Sequence, residues 1–341
     1  MTKEDPMPRR TTLNPVTRAA RPHPLTVVFS TLAVALLCLA TPAPAQDALL
    51  GVSMPSYRES RWEQDFNSIR EATERANVPL IIHFAGNSQE MQNFQIEEMV
   101  MKGVKILFVV PHNVNGVSGA LRLAREKGVI IVGYDRLPMD SPVDAYLTFD
   151  NVKCGELQGA FLTAAAPKGD YILMSGPNTD SNSAEFKNGA MKHLQPLIDK
   201  KDIRVLTDSP VDSWQPSAAK VIVQKALTAA NGRVDAVLAP NDDTAGAAIE
   251  ALAEWKLDGK VPVTGMDGSA DALQRVREGV QSMTVLKDTS LLAQKALEIA
   301  LAMLRKEALP APSRQTLNGL MPVPTYLLEP RLLTAEQARA R

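Results

Sequence analysis

The feature that most constrains this fold is an alternation, from Leu49 onward, of short apolar runs with longer amphipathic segments. Runs of this length, bounded by polar or turn residues, are typical of single buried strands. Ten such runs occur: LLGVSM (49–54), PLIIHFA (79–85), KILFVVP (105–111), VIIVGYD (129–135), AYLTFD (145–150), YILMSG (171–176), RVLTDS (204–209), DAVLAP (235–240), VPVTGMD (261–267) and SMTVLKD (282–288). Strands separated by helical segments indicate β-α-β units, with parallel sheets and helices on both faces. Because ten strands are many for one open sheet, the sequence predicts an α/β fold with two lobes.

The segments between and after these runs carry further predictions. In QNFQIEEMVMKGV (92–104), apolar residues recur near the helical period and predict one buried helix face. The predicted face consists of Phe94, Ile96, Met99 and Val100.

The natural break between lobes lies near 149–151. The later segment LPAPSRQTLNGLMPVPTYLLEP (309–330) is rich in proline and is predicted to be irregular.

The first 45 residues carry a separate signal. Arginines between positions 9 and 21 precede an uncharged apolar run, 25–40, and then Ala43-Pro44-Ala45. This pattern predicts an export signal that is cleaved near Ala45, which would place the mature chain in the periplasm. An uncleaved anchor and twin-arginine export through Arg9-Arg10 are the alternatives. After cleavage Cys154 would be the one remaining cysteine, so no intrachain disulfide is expected, and Cys154 is predicted to be a small apolar residue on a helix.

Several function classes are disfavoured. A formal net charge of −1 gives no basic field of the kind that nucleic acids require. The sequence has no phosphate-binding glycine loop, no nucleophile elbow and no histidines at metal-ligand spacing. The adjacent carboxylates Asp242 and Asp243 could suggest glycosidase chemistry, but at a helix start they would face different directions and one would cap the helix. We therefore expect no enzyme, no cofactor and no metal site.

Polar side chains stand directly after most of the predicted strands. In open α/β sheets ligands bind at the carboxyl ends of the strands, so these residues are binding-site candidates. They are Arg61, Asn113, Asp135, Arg136, Asp150, Asn151, Asp180, Asn182, Asn241, Asp242, Asp243, Asp267 and Lys287, with Trp62 and Trp214 beside strand ends. Carboxylates, amides and cations can satisfy sugar hydroxyls, which both donate and accept hydrogen bonds. Because aromatic rings could cover the apolar C–H faces of a sugar, the set favours a neutral polyol as ligand.

The pair Arg61-Trp62, in SRWEQD (60–65), has two interpretations. In the ordinary one, Trp62 packs in the core near a helix start and Arg61 is solvated beside it. In the other, a cation and an aromatic face are presented together to a polar ligand at the end of a strand.

Several segments together resemble, in order and spacing, the periplasmic sugar-binding proteins of ABC importers. They are GVSMPSYRESRWEQD, IIVGYDR, LTFDN, LAPNDDTAGAAIEAL, GMDG, QSMTVLKD and NGLMPVPTYLL. The resemblance covers nearly all of 49–330 and is strongest to the D-xylose-binding members of that family. It implies a type I periplasmic binding protein: two Rossmann-like lobes, joined by three hinge crossings, that close around one sugar. The implied lobes are 46–150 plus 287–315 and 151–286 plus 316–335.

The resemblance also implies a set of sugar-binding residues. From the first lobe they are Arg61, Trp62, Asp135 and Arg136, and from the second they are Asp180, Asn182, Trp214, Asn241 and Asp267, with Lys287 at a crossing. Arg61 would hold the sugar and Trp62 would cover it. Departures from the family pattern at Ser181, Ser183 and Asp288 leave the identity of the sugar open.

The partners that follow from the resemblance are a monosaccharide, with D-xylose as the first candidate, and an inner-membrane ABC permease that receives it. A monomer is expected, with no nucleic-acid partner. One alternative is a sugar sensor that docks onto a chemoreceptor or histidine kinase, and another is specificity for a different pentose or a hexose. Repressor effector domains share this fold, but they carry a DNA-binding helix-turn-helix where this chain has its predicted export signal.

Overall fold

The computed structural model describes residues 48–340, and the predicted export signal lies outside this range. The strands are β1 (Leu50–Met54), β2 (Leu80–Phe84), β3 (Ile106–Val109), β4 (Ile130–Tyr134), β5 (Ala145–Phe149), β6 (Gly169–Ser175), β7 (Ile203–Pro210), β8 (Ala236–Leu238), β9 (Met266–Asp267), β10 (Met283–Leu286), β11 (Arg314–Leu317), β12 (Pro322–Leu328) and β13 (Arg331–Thr334). The helices are α1 (Ser60–Ala76), α2 (Gln89–Met101), α3 (Ser118–Glu126), α4 (Asn151–Ala165), α5 (Ser181–Asp199), α6 (Pro216–Ala229), α7 (Asp242–Ala253), α8 (Ala270–Glu278), α9 (Thr289–Leu304) and α10 (Ala335–Arg339). Each of the ten predicted strands is confirmed, as β1 to β10.

The first lobe is built on a seven-stranded sheet in the order β11-β12-β5-β4-β3-β1-β2. All its pairings are parallel except that of β11 with β12. Side chains alternate between the two faces of the sheet, as the pleat requires. In β3, Ile106 and Phe108 pack with residues of α1 and α9, whereas Leu107 and Val109 pack with those of α2 and α3. Because both faces are covered, the strands read as continuous apolar runs.

The second lobe repeats this arrangement on two short sheets, β7-β6-β8 and β13-β10-β9. A single bridge between Val237 and Val263 connects β8 to the segment that leads to β9. The resulting order, β7-β6-β8-β9-β10, matches the β2-β1-β3-β4-β5 order of the first lobe. In β6, Ile172 and Met174 pack towards α6 and α7, and Tyr171 and Leu173 towards α4 and α5. The predicted fold class, two Rossmann-like lobes of α/β type, is confirmed.

The chain crosses between the lobes three times. It passes from β5 into α4, from β10 into α9, and from β12 into β13. Helix α9 packs against α1, β4 and β5, which places it in the first lobe. The predicted lobe boundaries stay a prediction, with one change that strand pairing requires. Residues 316–335 were assigned to the second lobe, but β11 pairs with β12 and β12 pairs in parallel with β5, so the chain stays in the first lobe as far as Leu328.

Two predictions about local structure were wrong. The segment 309–330 was expected to be irregular, yet it contains β11 and β12. Its prolines are tolerated because the ladder of β12 with β5 begins at Thr325, beyond Pro322 and Pro324. Phe94 was placed on the buried face of α2, but it is 63% exposed, whereas Ile96, Met99 and Val100 are buried.

Cys154 lies in α4 and is fully buried, as predicted for a small apolar residue. Burial raises the pKa of its thiol to about 12. Within residues 48–340, no helix is long and apolar enough to cross a membrane.

Candidate ligand-binding site

A cavity lies where the carboxyl ends of strands from both lobes meet. It is lined by Glu59, Arg61, Trp62, Asp135, Arg136, Asp180, Asn182, Phe186, Trp214, Asn241, Met266, Asp267 and Lys287. All ten of the residues predicted from the sequence as sugar-binding are among them. None of these side chains belongs to a residue more than 9% exposed, so the lobes enclose the cavity between them.

The topology explains why residues so far apart in sequence converge. Arg61 and Trp62 occupy the first turn of α1, after β1, and Asp135 and Arg136 follow β4. In the second lobe the corresponding positions follow β6, β7, β8, β9 and β10. They hold Asp180 and Asn182 at the start of α5, Trp214 in a single 3-10 turn, Asn241 at the N-cap of α7, Asp267 in β9, and Lys287. Each lobe therefore contributes its own strand ends to one site, as the general rule for open α/β sheets requires.

Arg61 is the centre of a buried charge network. Its Nη2 atom donates to Asp135 Oδ1 at 2.9 Å, and its Nη1 atom lies 3.4 Å from Asp267 Oδ1 in the other lobe. Its Nε atom donates to Asp65, which lies one turn along α1 and also accepts from Tyr134 at 2.8 Å. Lys287 Nζ donates to the same Asp135 oxygen at 3.0 Å. These bonds hold the hydrogen-bond donors and acceptors of the cavity in fixed positions.

The pKa values of three cavity carboxylates are shifted: that of Asp135 is lowered, and those of Asp180 and Asp267 are raised. Burial acts to raise the pKa of Asp135, but the charges of Arg61 and Lys287 outweigh it and hold that pKa below its ordinary value. For Asp180, burial raises the pKa despite the opposing charge of Arg136. For Asp267, burial likewise raises the pKa, against the charges of Lys287 and Arg61. Asp135 is thus the most firmly ionised acceptor of the three.

Arg136 and Asp180 form a pair across the lobes. Arg136 Nε lies 2.7 Å from Asp180 Oδ2, but its N–H is not aimed along that line and makes no hydrogen bond with any residue of 48–340. The same Asp180 oxygen accepts from Trp214 Nε1 at 3.2 Å. The contact is therefore an ion pair that leaves the Nε–H free to turn to another acceptor.

Trp62 is buried in the core of the first lobe, as one of its two interpretations predicted, and it also lies beside two arginines. The guanidinium groups of Arg61 and Arg136 lie 5.7 and 5.0 Å from its ring centroid, within cation–π range. The ring therefore supports two cavity arginines. Its Nε1 atom is buried and has no hydrogen-bond partner among the described residues. Of the two interpretations of Arg61-Trp62, the structure excludes a solvated Arg61, which is only 4% exposed.

Three cavity residues other than glycine have left-handed backbone conformations: Asp135 (φ 60°), Trp214 (φ 57°) and Asp267 (φ 103°). Such conformations cost free energy and persist where surrounding structure enforces them, which is common at binding sites. Here they aim two carboxylates and one indole into the cavity. Asn182 adds a direct link between lobes, because its Nδ2 atom donates to the backbone oxygen of Asp135 at 2.9 Å.

Other strand-end candidates do not line the cavity: Asn113, Asp150, Asn151, Asp242 and Asp243. The expectation that Asp242 or Asp243 caps its own helix was wrong, because Asn241 fills the N-cap and accepts from Thr244 N at 3.0 Å. The Asp242 carboxylate accepts from Ser269 N at 2.9 Å and also from Gln281 and Thr284. Asp243 reaches Ser60 in the other lobe.

The sequence-based reasoning missed Glu59, Phe186 and Met266. Phe186 and Met266 are apolar and look like core residues in the sequence. Phe186 lies on the second turn of α5, and Lys287 Nζ stands 5.4 Å from its ring centroid. Its spacing of four residues from Asn182, one helical turn, could have indicated that it shares the same face.

The arrangement offers many fixed hydrogen-bonding groups and a few apolar walls. Within residues 48–340, no cluster of three or more histidine, cysteine or acidic side chains is placed to hold a metal ion. The chemistry that the cavity supports is reversible recognition of a polar ligand enclosed by two lobes.

Comparison with known proteins identifies the class. The chain belongs to the periplasmic binding proteins, since the model of the periplasmic binding protein domain matches residues 50–308. It is 37% identical to the D-xylose-binding periplasmic protein of Escherichia coli over 303 residues, covering 89% of this chain and 92% of that one. It is 39% identical to the D-xylose-binding periplasmic protein of Haemophilus influenzae over 300 residues, covering 88% and 90%.

A solved structure shows the same likeness. The carbohydrate transporter solute-binding protein of Chloroflexus aurantiacus, in complex with D-glucose, superposes with a TM-score of 0.79 at 30% identity. The match covers 85% of this chain and 94% of that one. These comparisons confirm the resemblance to periplasmic sugar-binding proteins.

Proposed function

We propose that this protein is a periplasmic receptor that captures one neutral monosaccharide, with D-xylose as the first candidate, and delivers it to an ABC permease in the inner membrane. The observation that carries the proposal is the cavity itself, in which ten residues expected to bind sugar line one enclosed space. The names of the two D-xylose-binding relatives support the choice of sugar. An export signal ending near Ala45 and a monomeric receptor belong to the same proposal.

The charges of the cavity favour a neutral ligand. Three cations (Arg61, Arg136 and Lys287) face four carboxylates (Glu59, Asp135, Asp180 and Asp267), so the lining is close to electrically balanced. A sugar hydroxyl can donate to a carboxylate and accept from a cation or amide in the same position. A charged ligand would leave part of this buried network without compensation.

Apolar contacts complete the site. We assign Trp214 to a C–H face of the sugar, because its ring lines the cavity and neither Arg61 nor Arg136 lies over its face. Phe186 adds an apolar wall, with Lys287 Nζ 5.4 Å from its ring centroid. Trp62 instead holds these two arginines, and its unpartnered Nε1 donor is available to a ligand hydroxyl. Arg61, Asp135, Arg136, Asp180, Asn182, Asn241, Asp267 and Lys287 supply the remaining hydrogen bonds.

Capture follows from the position of the cavity between the lobes, which we take as 46–150 with 287–328 and 151–286 with 329–335. A ligand that contacts both lobes binds the closed state more tightly than the open one and shifts the equilibrium towards closure. The permease can then distinguish the closed, loaded receptor from the open one. A sensor kinase or chemoreceptor could read the same closed shape, which keeps a signalling role as the alternative.

A hexose ligand is the second candidate for the same site. The specific observation in its favour is the D-glucose bound to the Chloroflexus protein, which is 30% identical to this chain. D-xylose and D-glucose differ by one hydroxymethyl group, so the two candidates differ in what they require at one edge of the cavity.

Isothermal titration calorimetry of the purified protein tests the proposal. D-xylose, D-ribose, L-arabinose, D-glucose and D-galactose are titrated separately, with D-xylose expected to give a saturable heat at one site per chain. If D-glucose binds more tightly than D-xylose, the proposed ligand is a hexose instead of a pentose. The absence of saturable heat with every monosaccharide would refute the proposal. Delivery to a permease is tested by deleting the gene, which should abolish uptake of the radiolabelled sugar.

A further inference from the structure

Glu59 lines the cavity from a position where its carboxylate is not needed by its own helix. It directly precedes α1, where side chains commonly accept the first N–H groups of the helix. The Glu59 side chain makes no such bond. Its backbone oxygen accepts from Trp62 N at 3.0 Å, and the N–H of Ser60 donates to Asp243 of the other lobe at 3.0 Å. The Glu59 carboxylate is therefore not occupied in capping α1 and can bind a ligand in the cavity.

The orientation of Glu59 is fixed from behind. Ser56 Oγ donates to Glu59 Oε2 at 2.5 Å, and the backbone N–H of Arg58 donates to the same Ser56 oxygen at 2.8 Å. Ser56 is fully buried, and Glu59 is 9% exposed. Because one carboxylate oxygen is anchored, the other, Oε1, is held in a defined place. Oε1 accepts no hydrogen bond from any residue of 48–340.

Glu59 also differs from the other acids of the cavity in having no cationic partner nearby among the described residues. Asp135 pairs with Arg61 and Lys287, Asp180 pairs with Arg136, and Asp267 lies 3.4 Å from Arg61. Among the described residues, no lysine, arginine or histidine nitrogen lies within 4.0 Å of the Glu59 carboxylate. The cavity thus contains one anchored carboxylate that forms no ion pair with the described residues and whose Oε1 accepts no hydrogen bond from them, although its charge acts at longer range on His112.

We propose that Glu59 is a specificity-determining residue of this site, accepting one hydroxyl of the bound sugar through Oε1. The inference rests on the proposed function, because it requires a sugar in the cavity. A ligand that lacks the hydroxyl leaves a buried acceptor unpaired and binds more weakly. An anionic ligand, such as a uronate, meets an uncompensated negative charge and is rejected.

The test is a deoxy-sugar scan by calorimetry. D-xylose and the four compounds that each lack one of its hydroxyls (1,5-anhydroxylitol and 2-, 3- and 4-deoxy-D-xylose) are titrated into the wild type and Glu59→Ala. Glu63→Ala, on the exposed face of the first turn of α1, is the matched control. If D-glucose binds more tightly than D-xylose, its deoxy analogues replace the pentose series.

We expect one deoxy compound to bind the wild type about tenfold or more weakly than the parent sugar. In Glu59→Ala this one penalty should disappear while the others remain, and Glu63→Ala should reproduce the wild-type profile. Equal penalties in Glu59→Ala and the wild type would overturn the inference and leave the proposed function intact. A wild type that binds no sugar would overturn the proposed function, and this inference with it.

Glu59→Gln keeps the test decisive if Glu59→Ala does not fold. This variant retains the shape and the bond from Ser56 but removes the charge. We expect the preference of the wild type for D-glucose over D-glucuronate to fall at least several-fold in Glu59→Gln, and an unchanged preference would count against the inference.

Discussion

Ser60 and Asp243 are hydrogen-bonded across the two lobes, although they are 183 positions apart in the chain. The Asp243 carboxylate accepts from the backbone N–H of Ser60 at 3.0 Å and from its hydroxyl at 2.8 Å. It thereby fills the place of a capping side chain that α1 does not supply for itself. A carboxylate is also the favoured charge at the N-terminus of a helix. Because the two residues lie in different lobes, this contact stabilises the closed state.

Asp243→Ala should therefore weaken binding of every sugar by the same factor, about tenfold, since it destabilises closure and removes no contact from the cavity. The measurement is calorimetry with D-xylose and D-glucose on the wild type and the variant. Glu250→Ala, on an exposed part of the same helix, is the control and should bind normally. Unequal losses for the two sugars would mean that Asp243 contacts the ligand instead.

Arg61→Ala should reduce both affinity and stability. Arg61 pairs with Asp65, Asp135 and Asp267, so truncation leaves buried carboxylates without their cation and costs about 3–5 kcal/mol. Thermal melting and sugar titration of the same sample measure the two effects. Arg70→Ala removes an arginine from the exposed face of α1 and should change neither. If Arg61→Ala lowered the melting temperature while sugar affinity stayed at the wild-type value, Arg61 would be a structural residue only.

Gly176→Ala should displace Trp214 and weaken binding about tenfold or more. A Cβ at position 176 would lie 2.3 Å from both Ser183 Oγ and Trp214 Cζ2, so the indole must move. Sugar titration reports the loss of affinity, and tryptophan fluorescence reports the displacement. Gly119→Ala, in α3, is the control, because a Cβ there meets nothing within 4 Å. Wild-type affinity in Gly176→Ala would exclude a role for the position of Trp214.

The stability of the wild type should fall as the pH rises from 5 to about 7, and the Asp242 contribution to this fall should level off above that pH. Burial, reinforced by the charge of Asp267, raises the pKa of Asp242 from 3.8 to about 7, although hydrogen bonds from Ser269, Gln281 and Thr284 oppose the shift. Between these two pKa values the folded state holds a proton that the unfolded state lacks. The Asp242 contribution to stability is therefore complete below pH 3.8 and is lost as the pH rises through about 7.

Asp242→Asn should remove the Asp242 share of this dependence, about 1 kcal/mol per pH unit below pH 7. The shares of Asp180 and Asp267, whose pKa values are also raised by burial, should remain. Chemical denaturation of the wild type and the variant at pH 5, 6, 7 and 8 gives both slopes. The exposed Asp271→Asn serves as the control and should keep the wild-type slope. A wild-type slope that survives in Asp242→Asn would assign the pH dependence to other groups.

The sequence contained enough information to predict the strands and most of the site, because both depend on local patterns. Apolar runs predicted β1 to β10, and the rule for strand ends led to residues that do line the cavity. The errors arose where a local pattern was compatible with two environments. Phe94 continues the apolar periodicity of α2 but faces outward. The prolines of 309–330 suggested an irregular segment, but Pro322 and Pro324 precede the ladder of β12 with β5, which starts at Thr325.

Relationships between distant segments were beyond prediction from one sequence. Glu59 and Asp243 both stand at helix starts, where capping is the ordinary interpretation of an acidic residue. Nothing local shows that Glu59 lines the cavity or that Asp243 reaches α1 of the other lobe. Those outcomes depend on how the lobes meet, and the contacts between the lobes join residues that are distant in the sequence.

A crystal structure of the protein with D-xylose tests the central claim most directly. The account predicts one sugar inside the cavity, hydrogen-bonded to Asp135 and Arg136 of the first lobe and to Asn241 and Asp267 of the second. A sugar bound outside the cavity, or held by residues of one lobe only, would contradict it.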